Sequence, residues 1–267
     1  MIIIGEKLNS SIPRALEIMS GGSDDDISAL IIAQNGADYL DVNTALCSDE
    51  RAAMRRVCSL IRKNGRSGIM LDSPDPEVIA EAARALGGDL ILNSATLTER
   101  MDVLAPAASE LGCSIVVLPV NGRAIPKNAG ERIENACRAV DILNGYGVKR
   151  DKIFIDVCLH AIASWEDDGQ DRPPAMVTLD TIRGIKNEAG VKSVCGLSNI
   201  SFGLPRRAVI NSAFLAAAIC AGLDAAICDA SSPSIKDAVA AASALAGLDE
   251  YCLGYIAHSR ERMKGKL

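Results

Sequence analysis

Eight short apolar runs, each closed by a polar residue and followed by a stretch of helical composition, govern what this chain can fold into. The runs occupy residues 2–6, 37–43, 68–73, 89–94, 114–120, 152–159, 193–199 and 225–229. They are rich in Ile, Val and Leu and do not alternate apolar with polar, which is the pattern of strands buried on both faces of a parallel sheet. The stretches between them carry helix-start signals: Ser23 before three aspartates, Ser73-Pro74-Asp75-Pro76, and Ser232-Pro233. Several close on glycine, at Gly36, Gly87, Gly112, Gly147, Gly190 and Gly222. Parallel strands joined through helices need right-handed crossovers. Eight such units in 267 residues average about 33 residues each, the size of a βαβ repeat. The pattern predicts an α/β fold, a (β/α)8 TIM barrel, as a single domain over residues 1–267. A doubly wound sheet is the competing architecture, but none of the runs is followed by G-x-G-x-x-G or a P-loop.

Composition then removes several classes of function. With a net charge of −6 and 3% aromatic residues, the chain has neither a basic stripe for phosphate backbones nor rings for stacking bases, so no nucleic-acid partner is expected. Its longest apolar stretches, 213–223 and 238–248, fall short of the roughly 20 residues that cross a bilayer. The first residues lack the basic start and long apolar region of a secretory signal, and a cytoplasmic location is the expectation. Nine cysteines sit singly inside apolar runs, as buried thiols do. No C-x-x-C or H-E-x-x-H occurs, and Cys158 with His160 would need ligands from other strands, so no bound metal is expected.

In a barrel the chemistry lies at the C-terminal ends of the strands. Those ends read Glu6 with Asn9, Asp41 with Asn43, Asp72, Asn93, Asn121, Asp156 with His160, Ser198 with Asn199, and Asp229. Any one of these serves equally well as a helix cap or turn former. Together they make a ring of carboxylates and amides with little positive charge, able to accept and donate hydrogen bonds side by side. That ring suits a neutral, nitrogen-rich heterocycle such as the amino-pyrimidinone edge of a pterin. A phosphate substrate fits poorly, because the loops at 200–205 and 230–234 are not glycine-rich anion cradles.

The segments 3–9 (Ile-Ile-Gly-Glu-Lys-Leu-Asn), 40–43 (Leu-Asp-Val-Asn), 71–73 (Leu-Asp-Ser), 92–94 (Leu-Asn-Ser), 124–127 (Ala-Ile-Pro-Lys), 196–201 (Gly-Leu-Ser-Asn-Ile-Ser) and 222–227 (Gly-Leu-Asp-Ala-Ala-Ile) span essentially the whole chain. In this order they resemble the methyltetrahydrofolate:corrinoid protein methyltransferases of the pterin-binding TIM-barrel superfamily. The most specific of them is the Gly-Leu-Ser-Asn-x-Ser stretch. The resemblance implies that the pterin ring is held by Asp72, Asn93 and Asp156, and that the amide of Asn199 serves N5, the atom that carries or receives the methyl group. It also places Ser198 among the pterin contacts, with Glu6, Asn9, Asn43, Asn121 and Arg207 as further contacts around the site.

The implied substrates are tetrahydrofolate or methyltetrahydrofolate and a corrinoid (cobalamin). The D-x-H-x-x-G signature of cobalamin-binding modules is absent, so the corrinoid is expected on a separate partner protein. The cobalt performs the difficult step and this chain positions and polarises. The family also implies a homodimer, for which the Ala-rich stretch 211–221 is suited. Dihydropteroate synthase is the nearest rival, but its Ser-Thr-Arg-Pro-Gly type of loop after the second strand is replaced by Asn43-Thr44-Ala45-Leu46-Cys47. A non-catalytic folate-binding subunit is the rival of a different class. His160 matches no catalytic position of the family and reads as a loop residue. The acidic loop 164–174, with the only tryptophan, reads first as a solvated segment and second as part of a docking surface for the corrinoid protein.

Overall fold

The computed structural model describes residues 1–65, 68–122, 124–165 and 172–265. Eight parallel strands, each bonded to the next, close into a barrel. They are β1 (Ile2–Asn9), β2 (Tyr39–Asn43), β3 (Gly68–Asp72), β4 (Leu90–Ala95), β5 (Ser114–Val117), β6 (Ile153–Asp156), β7 (Lys192–Gly196) and β8 (Ala225–Cys228). Closure comes where β8 pairs back onto β1, from Ile2 against Ala225 to Gly5 against Cys228.

Ten α-helices surround the sheet among the described residues. They are α1 (Pro13–Gly21), α2 (Asp24–Ala33), α3 (Glu50–Lys63), α4 (Pro76–Leu86), α5 (Glu99–Leu111), α6 (Ala129–Gly145), α7 (Pro174–Gly184), α8 (Arg207–Ala221), α9 (Pro233–Leu245) and α10 (Leu253–Met263). The sequence predicts one helix per unit. The two additional helices arise because the β1–β2 connection holds both α1 and α2, and because α10 follows α9. The break between α1 and α2 is set by Ser23, whose hydroxyl accepts the Asp26 N–H while the Asp26 carboxylate accepts the Ser23 N–H. None of these helices is long and apolar enough to cross a membrane.

The unbroken apolar runs follow from burial on both faces. Ile4, Met70, Ile91, Val116, Phe154, Val194 and Ala225 fill the barrel interior. Their strand neighbours, such as Leu40, Ile69, Leu71, Leu92, Ile115 and Ile155, face the helices. Each such side chain withdrawn from water contributes roughly 1.5–3 kcal/mol. Six of the nine cysteines are buried and none is in a disulfide, in keeping with their place inside apolar runs.

Inward parity continues to the top of the barrel. On β3 and β6 the residue two past the interior Met70 and Phe154 is Asp72 and Asp156. On β4 the residue two past Ile91 is Asn93. β1 achieves more than alternation allows. Its register against β2 shifts between Gly5 and Leu8, and this irregularity turns Asn9 inward as well as Glu6, three residues apart.

Several strands stop earlier than the sequence suggests, because polar side chains cap the backbone. β6 ends at Asp156, whose Oδ1 accepts the Cys158 N–H at 2.7 Å and bends the chain. β7 ends at Gly196, and Leu197–Ser201 winds into a 3-10 turn, so Ser198 and Asn199 stand on that turn rather than on the strand.

Candidate active site

The C-terminal mouth of the barrel holds a cleft of about 520 Å³, of the size that receives a bicyclic ring system. Strand register builds one wall. Asn9 pairs with Asn43, Asn43 with Asp72, and Asp72 with Asn93, so four strands bring an amide or an acid to the same level. Glu6, Asn9, Asp41, Asp72, Asn93 and Asp156 line the cleft, together with Ser198 and Asn199 from the turn after β7 and Arg207 from the start of α8.

Hydrogen bonds fix several of these groups before any ligand arrives. Asn43 Nδ2 donates to Asp72 Oδ2 at 2.9 Å, while Asn43 Oδ1 accepts from the Ser10 hydroxyl at 2.9 Å and the Ala45 N–H at 3.2 Å. Asn43 therefore stands behind Asp72 and orients it. The Ser198 hydroxyl lies 3.0 and 3.1 Å from the two carboxylate oxygens of Glu6. Arg207, the first residue of α8, donates to the Ser198 carbonyl at 2.6 Å and to the Ser201 hydroxyl at 3.0 Å, which ties the 3-10 turn to the helix.

Burial raises the acids of the cleft. Burial pushes the Asp41 carboxyl well above the ordinary carboxylate range, and the neighbouring Asp72 adds to this against the amides of Asn9 and Asn93. Burial also raises Asp72, partly offset by the Asn43 amide and the Arg100 charge. Glu6 is raised by burial, with Ser198 opposing and Asp229 reinforcing. Asp156 is pushed up to about 6 by burial, against the Cys158 N–H and the Arg132 charge. Burial thus works against the charged form of all four acids around one cleft. Among the described residues no group of three or more His, Cys, Asp or Glu side chains is placed to hold a metal ion.

Most of the residues singled out from sequence converge here, and three do not. Asn121 lies four residues beyond the end of β5, exposed in the following loop and outside the cleft lining, because β5 ends at Val117 rather than at 120. Asp229 faces a neighbouring cavity of about 210 Å³, where Lys7 holds it at 3.1 Å. Although burial opposes it, hydrogen bonds from Ser231 and Lys7 keep the Asp229 carboxyl below its usual range. His160 is half-buried and absent from the cleft's described lining. The acidic residues 166–171 lie outside the described residues.

Asp41 gains most from the structure. It is 2% exposed and lines the cleft, and its Oδ1 meets no hydrogen-bond partner among the described residues. The signal in the sequence was its parity: Asp41 sits between Tyr39, which packs against the interior cluster, and Asn43.

A family model described as "Pterin binding enzyme" matches residues 27–229. A methylcorrinoid:tetrahydrofolate methyltransferase of Eubacterium limosum is 28% identical over 273 residues, covering 100% of this chain and 98% of that protein. The methionine synthase of Mycobacterium tuberculosis is 31% identical over 247 residues, 86% of this chain but 20% of its own length. Among solved structures, a dihydropteroate synthase of Coxiella burnetii in complex with pteroic acid superposes with a TM-score of 0.64 at 16% identity, covering 91% of this chain and 94% of that one. A Mycobacterium tuberculosis structure gives 0.60 at 18%, covering 92% and 91%. At those identities the likeness to the solved structures is one of fold.

Proposed function

The chain belongs to the pterin-binding enzyme family, and from that premise we propose that it transfers a methyl group between N5 of tetrahydrofolate and the cobalt of a corrinoid carried by a separate protein. The observation that carries this reading is the cleft itself, in which Asp72, Asn93, Asp156 and Asn199 line one space of pterin size. Similarity to the methylcorrinoid:tetrahydrofolate methyltransferase along the full length of both chains supports it.

In this reading Asp72, Asn93 and Asp156 bind the pterin edge, with Asn43 orienting Asp72. Glu6, Asn9, Asp41, Ser198 and Arg207 complete the wall. The corrinoid supplies a cobalt able to give or take a methyl group. The protein must position N5 and manage one proton. When the methyl group leaves the corrinoid, N5 contributes the electron pair of the new C–N bond, the Co–C pair returns to cobalt, and N5 loses its proton. The reverse step returns a proton to N5. The Asn199 amide stabilises the changing charge at N5, and Glu6 and Asp41, which line the same cleft, are the acids placed to exchange that proton.

We favour transfer from methylcorrinoid to tetrahydrofolate. The full-length relative is named for that direction, whereas this chain matches 20% of the methionine synthases. The partner is a corrinoid protein, and Leu46 and Phe202 are 62% and 70% exposed on loops that follow β2 and β7, at the end where it must approach. Two copies of the chain are proposed to pair through α8, which exposes Ala213, Ala217 and Cys220.

The dihydropteroate synthase reading is disfavoured by the loop after β2. Its N–H groups are taken up internally, Ala45 by Asn43 and Leu46 by the Ser10 hydroxyl at 3.1 Å, so they are not presented to a diphosphate. The deciding experiment is anaerobic spectroscopy of purified protein with tetrahydrofolate and methylcobalamin or a methylated corrinoid protein. Conversion of the methyl-Co(III) spectrum to Co(I) is expected. Folate binding with no methyl exchange in either direction overturns the proposal and assigns a non-catalytic folate-binding role.

A further inference from the structure

Arg132, on the second turn of α6, is 1% exposed and does not line the cleft. A buried guanidinium is tolerated only when its N–H groups are satisfied. Here Nε donates to the Pro126 carbonyl at 2.8 Å, and Nη1 donates to the carbonyls of Val157 at 2.9 Å and Cys158 at 3.0 Å. Those acceptors belong to two loops, one entering α6 and one leaving β6. Three residues further along α6, the buried Asn135 donates to the Pro119 carbonyl at 3.1 Å. The inward face of α6 therefore clamps the loops that follow β5 and β6.

The clamp reaches the cleft through one backbone turn. To present two successive carbonyls to a single nitrogen the chain must bend sharply, and Cys158 stands in the left-handed region with φ 52°. That conformation is disfavoured for a residue with a Cβ and persists where the surroundings impose it. Turned this way, Cys158 directs its N–H onto Asp156 Oδ1 at 2.7 Å. The charged and titratable groups bearing on Asp156 among the described residues are Arg132 from α6, the Cys158 thiol on its own loop and the Cys195 thiol from β7. Burial keeps both thiols neutral, which leaves Arg132 as the cation.

We infer that Arg132 is a positioning residue for pterin recognition: through the backbone at 157–158 it fixes the orientation of Asp156, and its charge offsets the burial of that carboxylate. The inference rests on the proposed role of Asp156 in holding the pterin. It accounts for a buried cation whose hydrogen bonds all go to loop carbonyls, and for the strained turn at Cys158.

The test is a double-mutant cycle read by anaerobic calorimetry with tetrahydrofolate, using wild type, Arg132→Gln, Asp156→Asn and the double variant, with Arg132→Lys as the conservative control. Arg132→Gln is expected to weaken binding roughly tenfold at pH 7, the order of one or two charge-assisted hydrogen bonds. The loss should shrink as pH rises, because the carboxylate then forms without the cation. Arg132→Lys should restore the wild-type pH profile while recovering only part of the affinity. The double variant should bind no more weakly than Asp156→Asn. If Asp156→Asn binds as wild type does, the reading of Asp156 fails and the inference falls with it. If Asp156→Asn binds weakly but Arg132→Gln keeps wild-type affinity and pH profile, or its loss adds in full to that of Asp156→Asn, the inference alone is overturned. Should the Arg132 variants not fold, hydrogen exchange of the Cys158 amide in ligand-free wild type decides. Protection supports the clamp, and exchange at the rate of an open loop overturns it.

Discussion

The amide of Asn199 lies against Gly196: a β-carbon on Gly196 would stand 3.3 Å from Asn199 Nδ2. The backbone at Gly196, with φ −76°, is one that any residue adopts, so a side chain there would act only by crowding the Asn199 amide. The glycine that ends β7 thus leaves room for the amide of the asparagine three residues later on the 3-10 turn.

Gly196→Ala is accordingly expected to displace the Asn199 amide by a few tenths of an ångström while leaving the barrel intact. Misplacement of a polarising group by about 1 Å can cost about a hundredfold in rate, so a several-fold fall in methyl transfer is expected here. Single-turnover kinetics beside a melting curve check this. An unchanged rate in a folded variant would show that the amide's position is not critical.

Asn199→Ala separates binding from chemistry. The amide acts on charge that changes at N5 during transfer, so kcat should fall by about a hundredfold, the usual order for removing one preorganised donor, with a much smaller change in tetrahydrofolate affinity. Equal losses in affinity and rate would instead make Asn199 a ground-state contact.

Asp156 couples the site to stability. Burial pushes its carboxyl up to about 6 in the folded chain, above the 3.8 of an ordinary aspartate, so the folded state favours the protonated form. The stability from this preference is complete below pH 3.8 and is lost as pH rises towards about 6. Over that window the preference amounts to about 3 kcal/mol. Asp156→Asn keeps an Oδ1 acceptor for the Cys158 N–H and removes the buried charge. It should unfold at higher urea than wild type at pH 8, with the gap closing at pH 4, and it should bind tetrahydrofolate more weakly. A constant stability difference across that range would refute the coupling.

Phe202 follows the turn that carries Asn199 and is 70% exposed. Removing an exposed ring leaves stability within about 0.5 kcal/mol, whereas loss of an aromatic interface anchor costs about 1 kcal/mol or more in binding. Phe202→Ala should therefore keep wild-type melting, tetrahydrofolate affinity and turnover with free methylcobalamin, and lose several-fold in kcat/KM with the corrinoid protein. Equal turnover with both corrinoid forms in wild type and variant would remove Phe202 from the docking surface.

The barrel was legible in the chain because burial on both faces of a parallel sheet leaves an unmistakable trace, the unbroken run exemplified by Ile69-Met70-Leu71. The place of Asp72, Asn93 and Asp156 at the cleft was legible for a related reason, since an acid or amide closing such a run marks the strand's end at the barrel mouth. Asn121 misled because 118–120 continues the apolar composition of β5 while the strand itself stops at Val117. Asp41 was visible as a strand-end residue, but its burial, and an oxygen without a partner among the described residues, follow only from inward parity and from the neighbouring strands that cover it.

The sequence by itself determined the alternation of strands and helices and the chemical character of the barrel mouth, since both are written in local periodicity and residue type. Tertiary structure alone decided which of those polar groups share a cleft. It did so through the β1 irregularity that turns Asn9 inward, the closeness of Gly196 to Asn199, and the reach of Arg132 across two loops to the residue that caps Asp156. These relationships join positions distant in the chain or depend on sub-ångström fit. They are fixed by strand register and packing, which no single stretch of sequence contains.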